Sequence, residues 1–252
     1  MSEEELKSMR HSLAHIMAQA IQHLWPQAKF GVGPAIDNGF YYDVYLDNGT
    51  ISEADLPKIE EEMRKIIAAN YPFERRGVSV EEAIDWAISG NQSFKVELLN
   101  DLKRSGTTIA SELAGEKMGS VSDGDSKVET VSLYSQGDYT DLCRGGHVDS
   151  TGKVGAFKLT KTAGAYWRGN ENNSQMQRIY GVAFATQEEL DEYINRLEIA
   201  KQRDHRKLGK ELDLYTTSPL VGIGLPLFTP RGTILRDIVA QYSNQLRQKF
   251  GF

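Results

Sequence analysis

Two pairs of residues and one lysine could carry chemistry in this chain. His11 and His15 stand four apart. On a helix that spacing puts both imidazoles on one side, a turn apart. Cys143, the only cysteine, precedes His147 by four residues in the glycine-containing run Asp141-Leu142-Cys143-Arg144-Gly145-Gly146-His147. Lys95 lies in Phe94-Lys95-Val96-Glu97. Three imidazoles and a thiol can bind zinc, closing a tetrahedral site or leaving one position for water. They can also work without metal. Histidine suits proton transfer near neutral pH, a water or hydroxyl could sit between His11 and His147, and Lys95 could face an oxyanion. Lys95 would be a base only if burial lowered its pKa. A Cys143 nucleophile, its thiolate favoured by Arg144, is a third route. The plain alternatives are a Cys143 that packs as a small hydrophobe, a His147 that fills a turn, and surface histidines with no role.

The elements that must position these groups follow from periodicity. Residues 2–25 read as an amphipathic helix opened by a Ser2/Glu5 capping box and ended by Pro26. Its apolar stripe centres near Leu13 and Leu24, which sends His11 and His15 to the opposite side. A strand is expected at 40–46, entering an Asp47-Asn48-Gly49 turn. Helices are expected at 52–70, 79–89 and 94–104, and strands at 128–134, 154–160 and 178–185. Residues 105–127, rich in Ser, Gly, Thr and Asp, read as a variable connection. The fold class is α+β, with packed helices around a largely antiparallel sheet. A long polar helix is expected from Thr186 to about 208, then a Gly/Pro-punctuated segment and a last helix over Thr233–Phe250. The domains are therefore 1–185, a linker helix at 186–208, and the opening of a further domain at 209–252.

The chain has 252 residues, 40% hydrophobic and 25% charged. That is an ordinary globular composition without a bilayer-spanning run. An acidic N-terminus is wrong for a secretory signal, and one cysteine excludes an internal disulfide, so a cytoplasmic setting is expected. The net charge of −6 gives no whole-surface attraction to nucleic acid. The stretch Arg196, Lys201, Arg203, Arg206, Lys207, Lys210 is locally basic, and charge alone reads it as a solvated helix face.

These residues resemble the threonyl-tRNA synthetase family. The matching motifs are His11-Ser-Leu-Ala-His15, Gly39-Phe-Tyr-Tyr-Asp43, Phe94-Lys-Val-Glu97, Asp141-Leu-Cys-Arg-Gly-Gly-His147 and the run from Lys158 to Arg168. Gln177–Gly181, Lys201–Gly209 and Gly224–Arg236 match as well, the last resembling the entry to motif 1 of class II synthetases. The resemblance implies an editing domain that hydrolyses mischarged Ser-tRNA(Thr). His11, His15, Lys95, Cys143 and His147 would be its catalytic residues, and Tyr42 and Asp141 would bind substrate. The partner implied is the 3′ aminoacylated end of tRNA(Thr), with no membrane and with a homodimer formed in the longer parent. Editing would need no cofactor. ATP, Mg and Zn would serve the later catalytic domain of an ATP-dependent ligase, whose motifs 2 and 3 are missing here. The signature also resembles the zinc-using alanyl-tRNA editing domain, in which case His11, His15, Cys143 and His147 would hold zinc. A non-catalytic tRNA-binding module is the remaining alternative. One departure stands out: the family usually has proline where this chain has Gly146.

Overall fold

The computed structural model describes residues 1–105, 128–222 and 224–251. The connection expected at 105–127 lies, apart from Ser105, outside the described residues. Two compact units divide the chain, Met1–Leu190 and Asp191–Phe252.

The first unit opens with α1, Glu3–Leu24. Its capping box is formed: Glu5 N–H donates to Ser2 Oγ at 3.2 Å and Ser2 N–H to Glu5 Oε2 at 2.7 Å. The short strands β1 (Lys29–Phe30) and β2 (Ala35–Ile36) lead to β3 (Gly39–Tyr45). Then come α2 (Leu56–Ala69), β4 (Glu74–Ser79), α3 (Val80–Ser89) and α4 (Ser93–Ser105). After the undescribed stretch follow β5 (Thr130–Gln136), β6 (Tyr139–Leu142), β7 (Ala156–Tyr166) and β8 (Gln175–Phe184). The larger sheet runs β1-β3-β8-β7, with β2 also paired to β3, and the smaller runs β4-β5-β6. Every pairing in both sheets is antiparallel. In the larger one, Asp43 and Arg178 face each other across β3 and β8. Arg178 donates from Nε and Nη2 to the two Asp43 oxygens at 2.6 and 2.8 Å.

The main core joins Leu13, Ile16, Met17 and Ile21 of α1 to Phe40 and Val44 of β3 and to Ile59 and Met63 of α2. The expectation that one side of α1 is polar needs correcting. Ser12, His15 and Gln19 are as buried as the apolar residues between them. The large sheet and α2 cover one face of the helix, and the segment around β6 covers the other. Two smaller cores hold α4. Leu99 and Leu102 pack with Val78, Ala83 and Leu133, while Phe94 and Leu98 pack with Trp167 and Met176. Gln92, just before α4, ties it to β1: its Oε1 accepts from Phe30 N at 2.9 Å and its Nε2 donates to Ala28 O at 3.1 Å.

The helix expected to reach about 208 is interrupted. Helix α5 spans Gln187–Gln202, and α6, His205–Glu211, starts afresh because the Asp204 carboxylate caps it by accepting from Arg206 N at 2.8 Å. The strands β9 (Tyr215–Thr216) and β10 (Leu227–Phe228) pair antiparallel. Helix α7, Pro230–Lys249, begins earlier than Thr233, with Thr229 as cap and Pro230 inside the first turn. Its Ile234, Ile238, Val239 and Tyr242 are exposed. No helix among the described residues is long and apolar enough to cross a membrane.

The β3–β8 pairing tolerates no side chain at Gly39, where a Cβ would lie 2.0 Å from the Gly181 carbonyl oxygen. Both strands are held by the ladder, so neither can retreat cheaply. Gly39→Ala is expected to cost about 1–3 kcal/mol, read as a lowered urea midpoint with an unchanged slope. An unchanged midpoint would refute this account of the pairing.

Candidate functional site

Four elements and one turn meet around a cleft of about 330 Å³. Helix α1 contributes His11 and His15, β3 contributes Tyr42, α4 contributes Lys95, and β6 with the turn after it contributes Asp141 and Cys143. Lys7, Ser8 and Arg144 line it as well, with the β1–β2 loop at Val32–Ala35. Six of the seven residues singled out by sequence thus line one cleft. His147 does not. It lies against Cys143 and Ser12, its ring stacked on Phe73 at 4.6 Å and on His11 at 4.5 Å.

The cleft is built on a buried ion pair. Lys95 Nζ is 2.5 Å from Asp141 Oδ1 and donates to the Tyr42 hydroxyl at 3.1 Å. Tyr42 in turn donates to Asp141 Oδ2. The Leu142 amide also donates to Asp141 Oδ1, at 2.8 Å. Tyr42, Lys95 and Asp141 are only 1–3% exposed. Both carboxylate oxygens are therefore engaged before any ligand arrives. The sequence placed Asp141 as a substrate contact; the structure gives it first the task of fixing Lys95. Tyr139, which sequence reasoning missed, is buried beside this group, its ring edge-on to His15. It stands two residues from Asp141 on the same strand, and period-two alternation would have pointed to it. Burial, then the Asp141 charge, raises the pKa of both tyrosines well above the usual range. Both remain hydroxyl donors.

His15 is neutral for a stated reason. Burial pushes its pKa well below 6.5, and the nearby His11 and Lys95 push it further. Its Nε2 lies 3.9 Å from Asp141 Oδ2, and its buried Nδ1 has no hydrogen-bond partner among the described residues. Such an orphan costs about 1–3 kcal/mol and invites a water or ligand group. Burial, then His15 and His11, also drives the pKa of His147 far below its ordinary value. Its Nε2 is 3.3 Å from Cys143 Sγ and its Nδ1 3.2 Å from Ser12 Oγ. His11 Nε2 is 3.0 Å from the same sulfur.

The Cys143–His147 turn closes because Gly145 and Gly146 both take positive φ, 118° and 79°. Proline, held near −65°, cannot adopt the Gly146 conformation.

One donor atom from each of His11, His15, Cys143 and His147 lies within 4.8 Å of the others. Zinc takes such nitrogen and sulfur donors at about 2.0–2.3 Å, so small rotations would close the set. The orphan His15 Nδ1 is compatible with that use. The donor set fits zinc.

The family described as the threonyl and alanyl tRNA synthetase second additional domain matches residues 131–180. That stretch holds Asp141, Cys143 and His147. Full-length comparison is more specific. A threonine–tRNA ligase of Geobacillus sp. (strain WCH70) is 49% identical over 239 residues, covering 95% of this chain and 33% of the relative. Threonine–tRNA ligase 1 of Bacillus subtilis (strain 168) is 48% identical over 241 residues, 96% of this chain and 34% of the relative. That of Pelobacter propionicus is 46% identical over 251 residues, 100% of this chain and 36% of the relative. The chain belongs to the threonyl-tRNA synthetase family. It spans about a third of the length of the curated relatives it matches.

His15 and His147 contribute to the pH response of the fold. His15 and His147 have folded pKa values below their unfolded value of 6.5. The unfolded chain thus binds protons that the fold refuses. Their stabilisation is complete above about pH 6.5 and falls below it, by up to about 1.4 kcal/mol per pH unit for each. His23 has the opposite sign. Burial lowers its pKa, but hydrogen bonds to Glu62 and Asp138 raise it on balance, so its smaller contribution fades as pH rises above 6.5. Urea midpoints should drop between pH 7.5 and 5.5, and His147→Asn should make the drop shallower. An equally steep drop in that variant would show that His147 is not buried in its neutral form.

Proposed function

We propose that the first unit is a proofreading site that hydrolyses serine wrongly esterified to tRNA(Thr). The observation that carries this is the convergence of His11, His15, Lys95, Cys143 and the Tyr42–Asp141 pair on one cleft, in a chain homologous to threonine–tRNA ligases. A longer protein containing this chain would be an ATP-dependent threonine–tRNA ligase acting on tRNA(Thr). Such a ligase needs a second sieve. Serine lacks one methyl of threonine, a difference worth only about 1–3 kcal/mol in a binding pocket.

The chemistry is attack of water on an aminoacyl ester. Lys95 is an ammonium fixed by Asp141 and Tyr42, so it can face the oxyanion without reorganising. His15, held neutral by burial, and an unprotonated His11 can accept a proton from the attacking water. The unpartnered His15 Nδ1 makes His15 a second candidate for holding that water, beside the expected His11. His147, set back from the cleft, acts through Cys143 and His11 rather than on the leaving ribose hydroxyl. A zinc-dependent hydrolase is the second reading, favoured by the clustered donors. There zinc would be held by His11, His15, Cys143 and His147 and would activate water.

The test is deacylation of seryl-tRNA(Thr) beside threonyl-tRNA(Thr), with and without chelator. Loss of serine alone, indifferent to chelator, is expected. Lys95→Met should lower the rate by about 10²-fold or more, with circular dichroism reporting any cost of leaving Asp141 buried and unpaired. Loss abolished by chelator would transfer the case to zinc. A folded parent that does not deacylate would overturn the hydrolase reading in favour of a tRNA-binding module.

A further inference from the structure

Ser12 lies between the two histidines of α1, fully buried, and no catalytic chemistry would be assigned to it by type. Its hydroxyl has three partners. It donates to Ser8 O at 2.9 Å, as an Oγ–H one turn along commonly does. It accepts from the Val148 amide at 3.0 Å. The third partner is His147 Nδ1 at 3.2 Å. A hydroxyl has one proton and two acceptor sites. The proton is used on Ser8 O and one acceptor site on Val148, so the contact with His147 requires Nδ1 to be the donor.

The consequence propagates. A neutral His147 carrying its proton on Nδ1 has its lone pair on Nε2, 3.3 Å from Cys143 Sγ. The Cys143 S–H then donates to that nitrogen, which is nearer to the sulfur than Gly145 O at 4.0 Å. The sulfur accepts from the Gly145 amide at 3.3 Å and lies 3.0 Å from His11 Nε2. With its own proton committed to His147, Cys143 meets His11 as an acceptor. His11 therefore donates from Nε2 and carries its lone pair on Nδ1.

We propose that Ser12 is a positioning residue that, through His147 and Cys143, fixes the tautomer of the cleft-lining His11. The directed series runs His11 Nε2–H to Cys143, Cys143 S–H to His147 Nε2, His147 Nδ1–H to Ser12, and Ser12 O–H to Ser8 O. Each proton in the series is used once. The effect on hydrolysis rests on the proofreading reading; the tautomers themselves do not.

Long-range proton–nitrogen NMR spectra of the chelator-washed chain distinguish the two ring nitrogens. His147 should show Nδ1 protonated and Nε2 bare, and His11 the reverse. Ser12→Ala should abolish the preference at His147 and reduce it at His11, while Ser12→Thr, which keeps the hydroxyl, should restore it. If deacylation is present, Ser12→Ala should lower kcat about tenfold at an unchanged KM. A protonated Nε2 on His147 in the parent chain would overturn the proposal even if no variant folds. So would a Ser12→Ala protein whose histidines keep the parental pattern. Absence of deacylation with the expected spectra would instead count against the proofreading reading alone.

Discussion

The contact between Lys95 and Asp141 governs the rest of the first unit. Removing both charges from water is costly, and the cost is offset only if geometry and further hydrogen bonds are good. Tyr42 and the Leu142 amide supply those bonds. The pair thereby pins together three elements far apart in sequence: α4, β6 and β3. It also sets the electrostatics of the cleft. The ammonium helps keep His15 unprotonated, so the site combines one fixed cation with a neutral imidazole. A protonated His15 beside Lys95 would have neither the proton affinity nor the electrostatic welcome that the proposed hydrolysis needs.

Why α4 delivers its lysine here follows from packing rather than from charge. Phe94 and Leu98 are gripped by Trp167 and Met176, and Leu99 and Leu102 by the core of the smaller sheet. The Trp167 indole N–H donates to Glu97 at 2.9 Å, and Arg168 reaches Asp101 at 2.7 Å. Clamped on two sides, the helix has one rotational setting, and Lys95 is on the side that faces Asp141.

Much of this was legible in the sequence, for identifiable reasons. Helix α1 announced itself by a capping box and a stop at Pro26, and α2 to α4 by clear periodicity. Strands β7 and β8 had runs long enough to read. Strand β4 did not, because Glu74-Arg75-Arg76-Gly77-Val78-Ser79 buries only Val78 and has no alternation to detect. The residues that line the cleft were found through type and spacing, with the resemblance adding Tyr42 and Asp141. What spacing could not convey was depth. A helical wheel of α1 shows one apolar stripe, yet the helix is covered on both faces, and only tertiary packing reveals that His15 and Ser12 are interior. The contact of His147 with Ser12 was hidden for the same reason. Asp204, a strong helix cap in the middle of a long polar stretch, was a stop signal that was there to be read.

The two left-handed glycines between Cys143 and His147 have a thermodynamic side. Glycine loses more backbone freedom on ordering than any other residue, and here two lie in succession. The turn therefore owes its order to what it touches: the Ser12 hydroxyl through Val148, the Phe73 ring under His147, and Tyr134, whose hydroxyl lies against Gly145. That order comes from three other segments of the chain, so the placing of the thiol depends on residues remote in sequence from the turn that carries it.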